Sequence, residues 1–317
     1  MGLGRLTPVP TMRVLVTGAD GQLGRDLLDS LAGRVPAGGL RCSLLAPEGP
    51  VEGLDYEVLA TDIGTMRVDE REAVLTVFHE FKPDLVLHGG ALTAVEVCES
   101  EVEVAYAVNA IGTRHVAEAA AAVDAHLLYV STDYVFDGTA DRPYREWDAP
   151  NPLSVYGASK LAGERECPPG STIVRTSWVC GAHGSNIVKT ALRLAEGEGT
   201  LRFVDDQRGS PTFTADLAPA IVTLGTQRRP GVFHVTNSGA TTWWGLVRAV
   251  LVAAGGDPER VHPITTAELD PPLVAPRPTN SVLDNMALRL SHLPSLPDWK
   301  DGLVRLVNAL ATEEVQA

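Results

Sequence analysis

Tyr156 and Lys160 stand four residues apart in the stretch Ser154-Val155-Tyr156-Gly157-Ala158-Ser159-Lys160, with no proline between them. On a helix, positions i and i+4 share a face, so a phenol and an ammonium can meet one ligand. A phenol titrates near pH ~10, and a neighbouring cation lowers that value by stabilising the phenolate. Such a pair can pass a proton near neutrality. The spacing is common by chance and gains weight from a second stretch. Gly18-Ala19-Asp20-Gly21-Gln22-Leu23-Gly24 follows an apolar run at residues 12–17 and opens a helical pattern that reaches Leu31. Gly18 permits a tight turn, Gly21 lets backbone approach a pyrophosphate, and Gly24 lets helix and strand pack closely. The helix N-terminus offers free N–H groups to the phosphates. Its first gap is one residue longer than in the dehydrogenase fingerprint.

These groups need a sheet to hold them. Apolar strand patterns are expected at residues 12–17, 40–45, 56–60, 84–88, 126–130 and 173–179, with helical periodicity at 69–81 and 101–125 between them. Alternation of this kind predicts a doubly wound parallel Rossmann sheet. On the second helix Val104, Val108, Ile111 and Ala119 are expected to face inward, and Asn109 reads either as a surface amide or as a hydrogen-bond link to the catalytic region. An acidic partner for a ribose 2′-hydroxyl is expected after 40–45, where Glu48 stands, and Asp62 and Ile63 are placed beside the adenine ring. Gly89-Gly90-Ala91-Leu92-Thr93 lies at the carboxyl end of strand 84–88, where open α/β sheets bind ligands. His88, at that strand end, reads as a packed or hydrogen-bonded histidine. Strand 126–130 ends in Ser131-Thr132, whose hydroxyls could donate to a carbonyl oxygen.

After residue 179 the alternation weakens. Helices are expected at 186–196, 215–224, 243–253 and 299–310, strands at 201–204 and 232–236, and an extended proline-rich segment at 270–278. A cofactor domain over 12–180, joined by 215–236, and a smaller discontinuous substrate-binding domain over 181–214 and 237–317 follow from this pattern.

With 317 residues, 44% hydrophobic and 21% charged, the chain has the balance of a globular protein. A net charge of −14 argues against a nucleic-acid partner. No apolar run approaches the ~20 residues of a membrane span, and residues 1–11 read as a disordered lead-in rather than a signal peptide. Cys42, Cys98, Cys167 and Cys180 are scattered, as expected of reduced thiols in a cytoplasmic protein.

The strings GADGQLG, AVNAIGT, STDYVFDG, YGASKLAGE, RTSWV, DDQRGSPT and RPTNSVLD, in this order, resemble the extended short-chain dehydrogenase/reductases. More narrowly, the chain from about residue 12 to 310 is similar to the dTDP-4-dehydrorhamnose reductase family and its deoxysugar relatives. The resemblance implies reduction of the C4 ketone of a dTDP-4-keto-6-deoxy-L-hexose by NADPH or NADH, with NADPH placed slightly ahead. It implies a catalytic triad of Thr132, Tyr156 and Lys160. The cofactor would meet Gly18, Asp20, Gly21, Gln22, Leu23, Gly24, Asp62, Ile63, Gly90, Ala91, Thr93, Asn109, Tyr156 and Lys160. The substrate would meet Thr132, Asp133, Tyr134, Trp178, Asn186, Gln207, Ser210 and Arg277.

Departures from the family pattern fall at His88-Gly89-Gly90, at Cys180 in place of a tyrosine and at Ile187 in place of an aromatic residue. They imply an altered pocket and a related nucleotide sugar, as in antibiotic deoxysugar or dihydrostreptose-type assembly. Two other readings stand beside the reductase. One is a non-catalytic NADP-binding regulatory subunit of the same fold, as for methionine adenosyltransferase. The other is an epimerase or dehydratase, against which Asp133-Tyr134 replaces the usual Asp-Glu pair. The resemblance admits magnesium, although the sequence offers no metal-ligand set, and it allows a monomer or a homodimer.

Overall fold

The computed structural model describes residues 11–39 and 55–316. The strand expected at 40–45, Glu48, Cys42 and nearly all of the expected lead-in lie outside the described residues. In chain order the elements are β1 (Thr11–Thr17), α1 (Gln22–Leu31), β2 (Asp55–Thr61), α2 (Arg71–Phe81), β3 (Leu85–His88), α3 (Val95–Ser100), α4 (Val102–Tyr106), α5 (Gly112–Ala122), β4 (His126–Thr132), α6 (Val155–Glu166), β5 (Thr172–Thr176) and β6 (Val179–Cys180). There follow α7 (Ile187–Ala195), β7 (Leu201–Val204), β8 (Arg208–Gly209), β9 (Thr212–Phe213), α8 (Thr214–Thr226), β10 (Gly231–His234), β11 (Thr241–Thr242), α9 (Trp243–Ala253), β12 (Val261–Ile264), α10 (Met286–Leu290) and α11 (Trp299–Gln316).

Six strands form one sheet in the order β10-β5-β4-β3-β1-β2, and every pairing in it is parallel. The strands are apolar on both faces because helices cover both. Val14 and Val16 pack with α1 and α8 on one side, while Leu15, between them, packs with Val74 and Phe78 of α2 and Val116 of α5 on the other. Nearly every residue of α8 is buried, as its apolar circumference requires. This is a doubly wound Rossmann sheet. A smaller C-terminal α/β part is built on a separate core, where α7, α9 and α11 meet around Val188, Leu246, Val250, Leu303 and Leu306.

Two expectations need correction, and one strand takes a place the sequence did not specify. The strand at 55–61, ranked third in the chain, pairs directly with β1, so its carboxyl end occupies the position next to the glycine turn. The helix at 101–125 is not continuous, because one wider π turn spans Ala107–Ile111. That turn inserts a residue and shifts the phase. Val104 and Ile111, expected inside, are 47% and 36% exposed, while Asn109 and Ala110 turn inward. The strand over 173–179 stops at Thr176, because Trp178 adopts a left-handed backbone with φ 46°.

Candidate functional site

The chain passes from β1 to β2 on one side and then crosses back to β3 on the other, so the sheet has its switch point between β1 and β3. Ligands of open α/β sheets bind at such a point. A glycine follows each strand there, Gly18 after β1 and Gly89 after β3. Gly18 has φ 70°, and a Cβ on it would lie 2.9 Å from the Gly90 nitrogen. A Cβ on Gly24 would lie 2.2 Å from the Gly18 carbonyl oxygen, so α1 can approach β1 only because glycine stands there. The loop therefore brings bare backbone and the N-terminus of α1 to the cleft, which fits a dinucleotide pyrophosphate.

The cleft holds about 1090 Å³ and is continuous from the glycine turn to the substrate side. Gly18, Asp20, Gly21, Gln22, Leu23, Gly24, Asp62, Ile63, Gly90, Ala91 and Thr93 line it, with Tyr156, Lys160, Thr132, Asp133, Tyr134, Trp178, Gln207 and Arg277. Asn109, Asn186 and Ser210 do not. Asn109 is fully buried and donates to the Leu92 carbonyl at 3.0 Å and to Ser159 Oγ at 3.0 Å. Its side-chain Oδ1 accepts from Leu92 N at 2.8 Å. It clamps the loop after β3 to the helix bearing Tyr156 and Lys160. Asn186 caps α7 and donates to Gln22 Oε1 at 2.8 Å, tying the substrate side to the glycine turn. Ser210 is buried with its hydroxyl unpartnered.

Ser154 caps α6, accepting from Gly157 N at 3.2 Å. The helix then places Tyr156 and Lys160 on the cleft wall, as their spacing predicts. Gly157 is required: a Cβ there would lie 2.1 Å from the Tyr134 carbonyl oxygen. Burial raises the Tyr156 phenol well above its ordinary value, and the nearby Thr132 hydroxyl works against that rise. Lys160 is not the counterweight that the sequence led us to expect. Its ammonium donates to the Val130 carbonyl at 2.8 Å and sits 4.2 Å above the Tyr129 ring. Burial brings Lys160 down to about 7. The phenol is therefore held protonated, the form a general acid needs.

Thr132 Oγ1 donates to Asp133 Oδ1 at 3.1 Å and accepts from Tyr134 N at 3.2 Å. The first bond is long for a hydroxyl donor, so the proton is readily turned towards a ligand oxygen. Burial raises Asp133 to about 6, with the hydroxyls of Ser281, Ser177 and Thr132 around it opposing that rise.

Beneath α6 lies a feature the sequence reading missed. Arg175 forms a two-point pair with Glu164, at 2.8 and 2.7 Å, and Ser131 Oγ donates to Glu164 Oε1 at 2.5 Å. All three are buried. An arginine inside a strand buried on both faces was the available signal. His88 is likewise internal, between Thr17 Oγ1 at 2.7 Å and Thr113 Oγ1 at 3.2 Å.

On the substrate side Trp178 stacks on Trp243, with ring centroids 3.5 Å apart and planes 7° from parallel. Trp243 Nε1 donates to Gln207 Oε1 at 3.1 Å. Trp243 was read only as a helix start. Arg277 pairs with Glu96 at 2.6 Å, and Glu96 also accepts from Val274 N at 2.9 Å and Ala275 N at 3.1 Å. One carboxylate thus fastens the segment 274–277 to α3 at the rim. Ile187 lines the cleft, but Cys180 does not. Cys98, Cys167 and Cys180 are free thiols. Among the described residues, Asp26, Asp29 and His183 gather their ligand atoms within 4.8 Å of one another, with Asp29 paired to Arg34. No described helix is long and apolar enough to cross a membrane.

The family model described as "RmlD substrate binding domain" matches residues 12–312. A dTDP-4-dehydrorhamnose reductase from Streptomyces griseus is 40% identical over 314 residues, covering 96% of this chain and 96% of the relative. A solved dTDP-4-dehydrorhamnose reductase from Clostridium acetobutylicum superposes with a TM-score of 0.85 at 37% identity, covering 95% of this chain and 100% of its own. The enzyme of that description from Bacillus anthracis, solved in complex with NADP, gives 0.82 at 35% identity, covering 93% of this chain and 98% of its own.

Proposed function

The chain belongs to the dTDP-4-dehydrorhamnose reductase family, and from that premise we propose how its cleft performs an NAD(P)H-dependent reduction of the C4 ketone of a dTDP-4-keto-6-deoxyhexose. The observation that carries the assignment is the shared cleft. Thr132, Tyr156 and Lys160 line the same cavity as the glycine turn on one side and Trp178, Gln207 and Arg277 on the other. The bound nicotinamide supplies the hydride. Tyr156 gives its proton to the developing alkoxide, and its raised pKa keeps that proton in place until then. Thr132 turns its hydroxyl from Asp133 to the same oxygen and stabilises the charge. Lys160 holds the nicotinamide ribose from its seat at the Val130 carbonyl. Arg277 and Gln207 meet the nucleotide diphosphate, with the Trp178–Trp243 stack beside the sugar. The protein works in the cytoplasm as a monomer or homodimer, on a nucleotide sugar shaped to the smaller Ile187 position.

Tyr156→Phe should lower turnover by about 10²–10⁴-fold while cofactor affinity stays unchanged. Reduced-nicotinamide absorbance with a dTDP-4-keto-6-deoxyhexose follows the first, and cofactor titration the second. Unaltered turnover would refute the assigned acid. A panel of nucleotide sugars tests the pocket, and an overwhelming preference for the L-rhamnose precursor would remove the altered-sugar reading.

A further inference from the structure

The residue at the carboxyl end of β2 has a different place from the one its position in the sequence indicated. β2 pairs with β1 over its whole length, and Thr17 aligns with Thr61. Asp62 is therefore the first residue beyond the strand beside the glycine turn. Its Oδ2 accepts from the backbone N–H of Asp20, within that turn, at 2.9 Å, and its Oδ1 accepts from Ile63 N at 2.6 Å. Two bonds fix the carboxylate at the cleft wall, and each oxygen keeps a lone pair for another donor.

The described surroundings are poor in free cations. Among the described residues, Arg67 lines this part of the cleft, but it is paired with Asp69 at 2.6 Å and Glu70 at 2.9 Å. Arg25 is paired with Asp20 at 3.3 Å. Residues 63–66 are Ile-Gly-Thr-Met, with no basic side chain. Asp20, Asp69 and Glu70 thus engage these two guanidiniums, and Asp62 pairs with neither.

A carboxylate here suits a ribose diol, which donates hydrogen bonds, and repels a 2′-phosphate, which offers only acceptors and negative charge. We propose that Asp62 makes this reductase selective for NADH over NADPH, by accepting from the adenosine ribose hydroxyls and rejecting the 2′-phosphate. This rests on the reading of the cleft as a nicotinamide-dinucleotide site. The Bacillus anthracis relative was solved with NADP, so the selectivity belongs to these side chains and not to the fold. It also reverses the order in which the sequence placed the two cofactors.

The test is direct titration of the full chain with NADH and with NADPH, by calorimetry or by fluorescence of the reduced nicotinamide. NADH should bind at least about tenfold more tightly, as expected for charge-assisted bonds gained in one case and lost in the other. Asp62→Asn, which keeps the shape and removes the charge, should shrink that ratio. Asp62→Ala with Ile63→Arg should reverse it, and circular dichroism would show that each variant folds. Wild-type protein that binds NADPH as tightly as NADH would overturn the proposal, as would an unchanged ratio in Asp62→Asn. Binding of neither cofactor would overturn the dinucleotide reading itself, together with everything built on it.

Discussion

The two walls of the cleft are built to different standards. The wall carrying Tyr156 and Lys160 rests on a six-stranded parallel sheet, and the groups beneath it are buried and paired: Asn109 with Leu92 and Ser159, Glu164 with Arg175 and Ser131, Lys160 with Val130. The opposite wall is assembled from two-residue strands, a stacked tryptophan pair and a segment held by the Glu96 carboxylate, which is 43% exposed. Proton transfer needs fixed geometry, whereas a wall that admits and releases a nucleotide sugar needs parts that separate cheaply. Damage to the first wall should therefore register in stability and turnover, and damage to the second in substrate affinity.

The largest effect should come from the buried ion pair. Glu164→Ala leaves the Arg175 guanidinium inside the protein without its counter-charge, which costs about 3–5 kcal/mol. Denaturant unfolding measures it. A loss below about 1 kcal/mol, the value for an exposed pair, would show that water reaches this layer and would break the contrast between the walls.

Next in size is an acid sensitivity. Burial and, secondarily, the Lys160 charge lower His88 to about 3, from an ordinary 6.5. Between those values the unfolded chain takes up a proton that the folded chain refuses, so unfolding is favoured as pH falls. This contribution is fully present above pH 6.5 and is lost progressively towards pH 3, to the order of a few kcal/mol. His234, also lowered to about 3 by burial, acts in the same direction. Stability curves for His88→Asn against the wild type should be flatter across that window. Parallel curves would mean that His88 is protonated in the folded protein.

How much of this was legible in the sequence follows the same division. The catalytic wall depends on local rules. The turn Gly18–Gly24 needs glycine for steric reasons, Tyr156 and Lys160 share a face by helical period, and strands 12–17, 84–88 and 126–130 read as buried because both faces are apolar. What failed there was phase, and what the sequence left unspecified was strand order. The π turn at Ala107–Ile111 moved Asn109 inward and Val104 and Ile111 outward, and no residue type announces such an insertion. β2 paired with β1 despite its rank in the chain, which set Asp62 beside the glycine turn. The substrate wall depends on contacts between distant segments. Trp178 and Trp243 are 65 residues apart, and Glu96 and Arg277 are separated by 181, so neither pair has a period to betray it.

Trp243→Ala tests the second wall at moderate size. It removes the ring under Trp178 and the donor to Gln207 Oε1. Aromatic stacking contributes about 0.5–1.5 kcal/mol beyond burial, so KM for the nucleotide sugar should rise roughly 2–10-fold. Turnover should change little and NADH affinity not at all. A fall in turnover as large as that expected for Tyr156→Phe would place the tryptophan pair in the chemistry and erase the distinction between the walls.

The smallest expected effect is the sharpest test of the looser wall. Glu96→Gln keeps the oxygen that accepts from Val274 N and Ala275 N but removes the charge that holds Arg277. The pair is partly exposed, so its loss should be worth at most about 1 kcal/mol and should shrink as salt is added. If Glu96 positions Arg277 for the diphosphate, KM rises a few-fold with turnover unchanged, and the difference from wild type fades at high ionic strength. A lower KM in Glu96→Gln would instead mean that Glu96 competes with the substrate for the guanidinium, so that the rim contact opens when the nucleotide arrives. Either sign, with turnover constant, keeps this segment as a part that moves with substrate. A change in unfolding free energy as large as that expected for Glu164→Ala would show that the rim is as integral to the fold as the sheet beneath Tyr156.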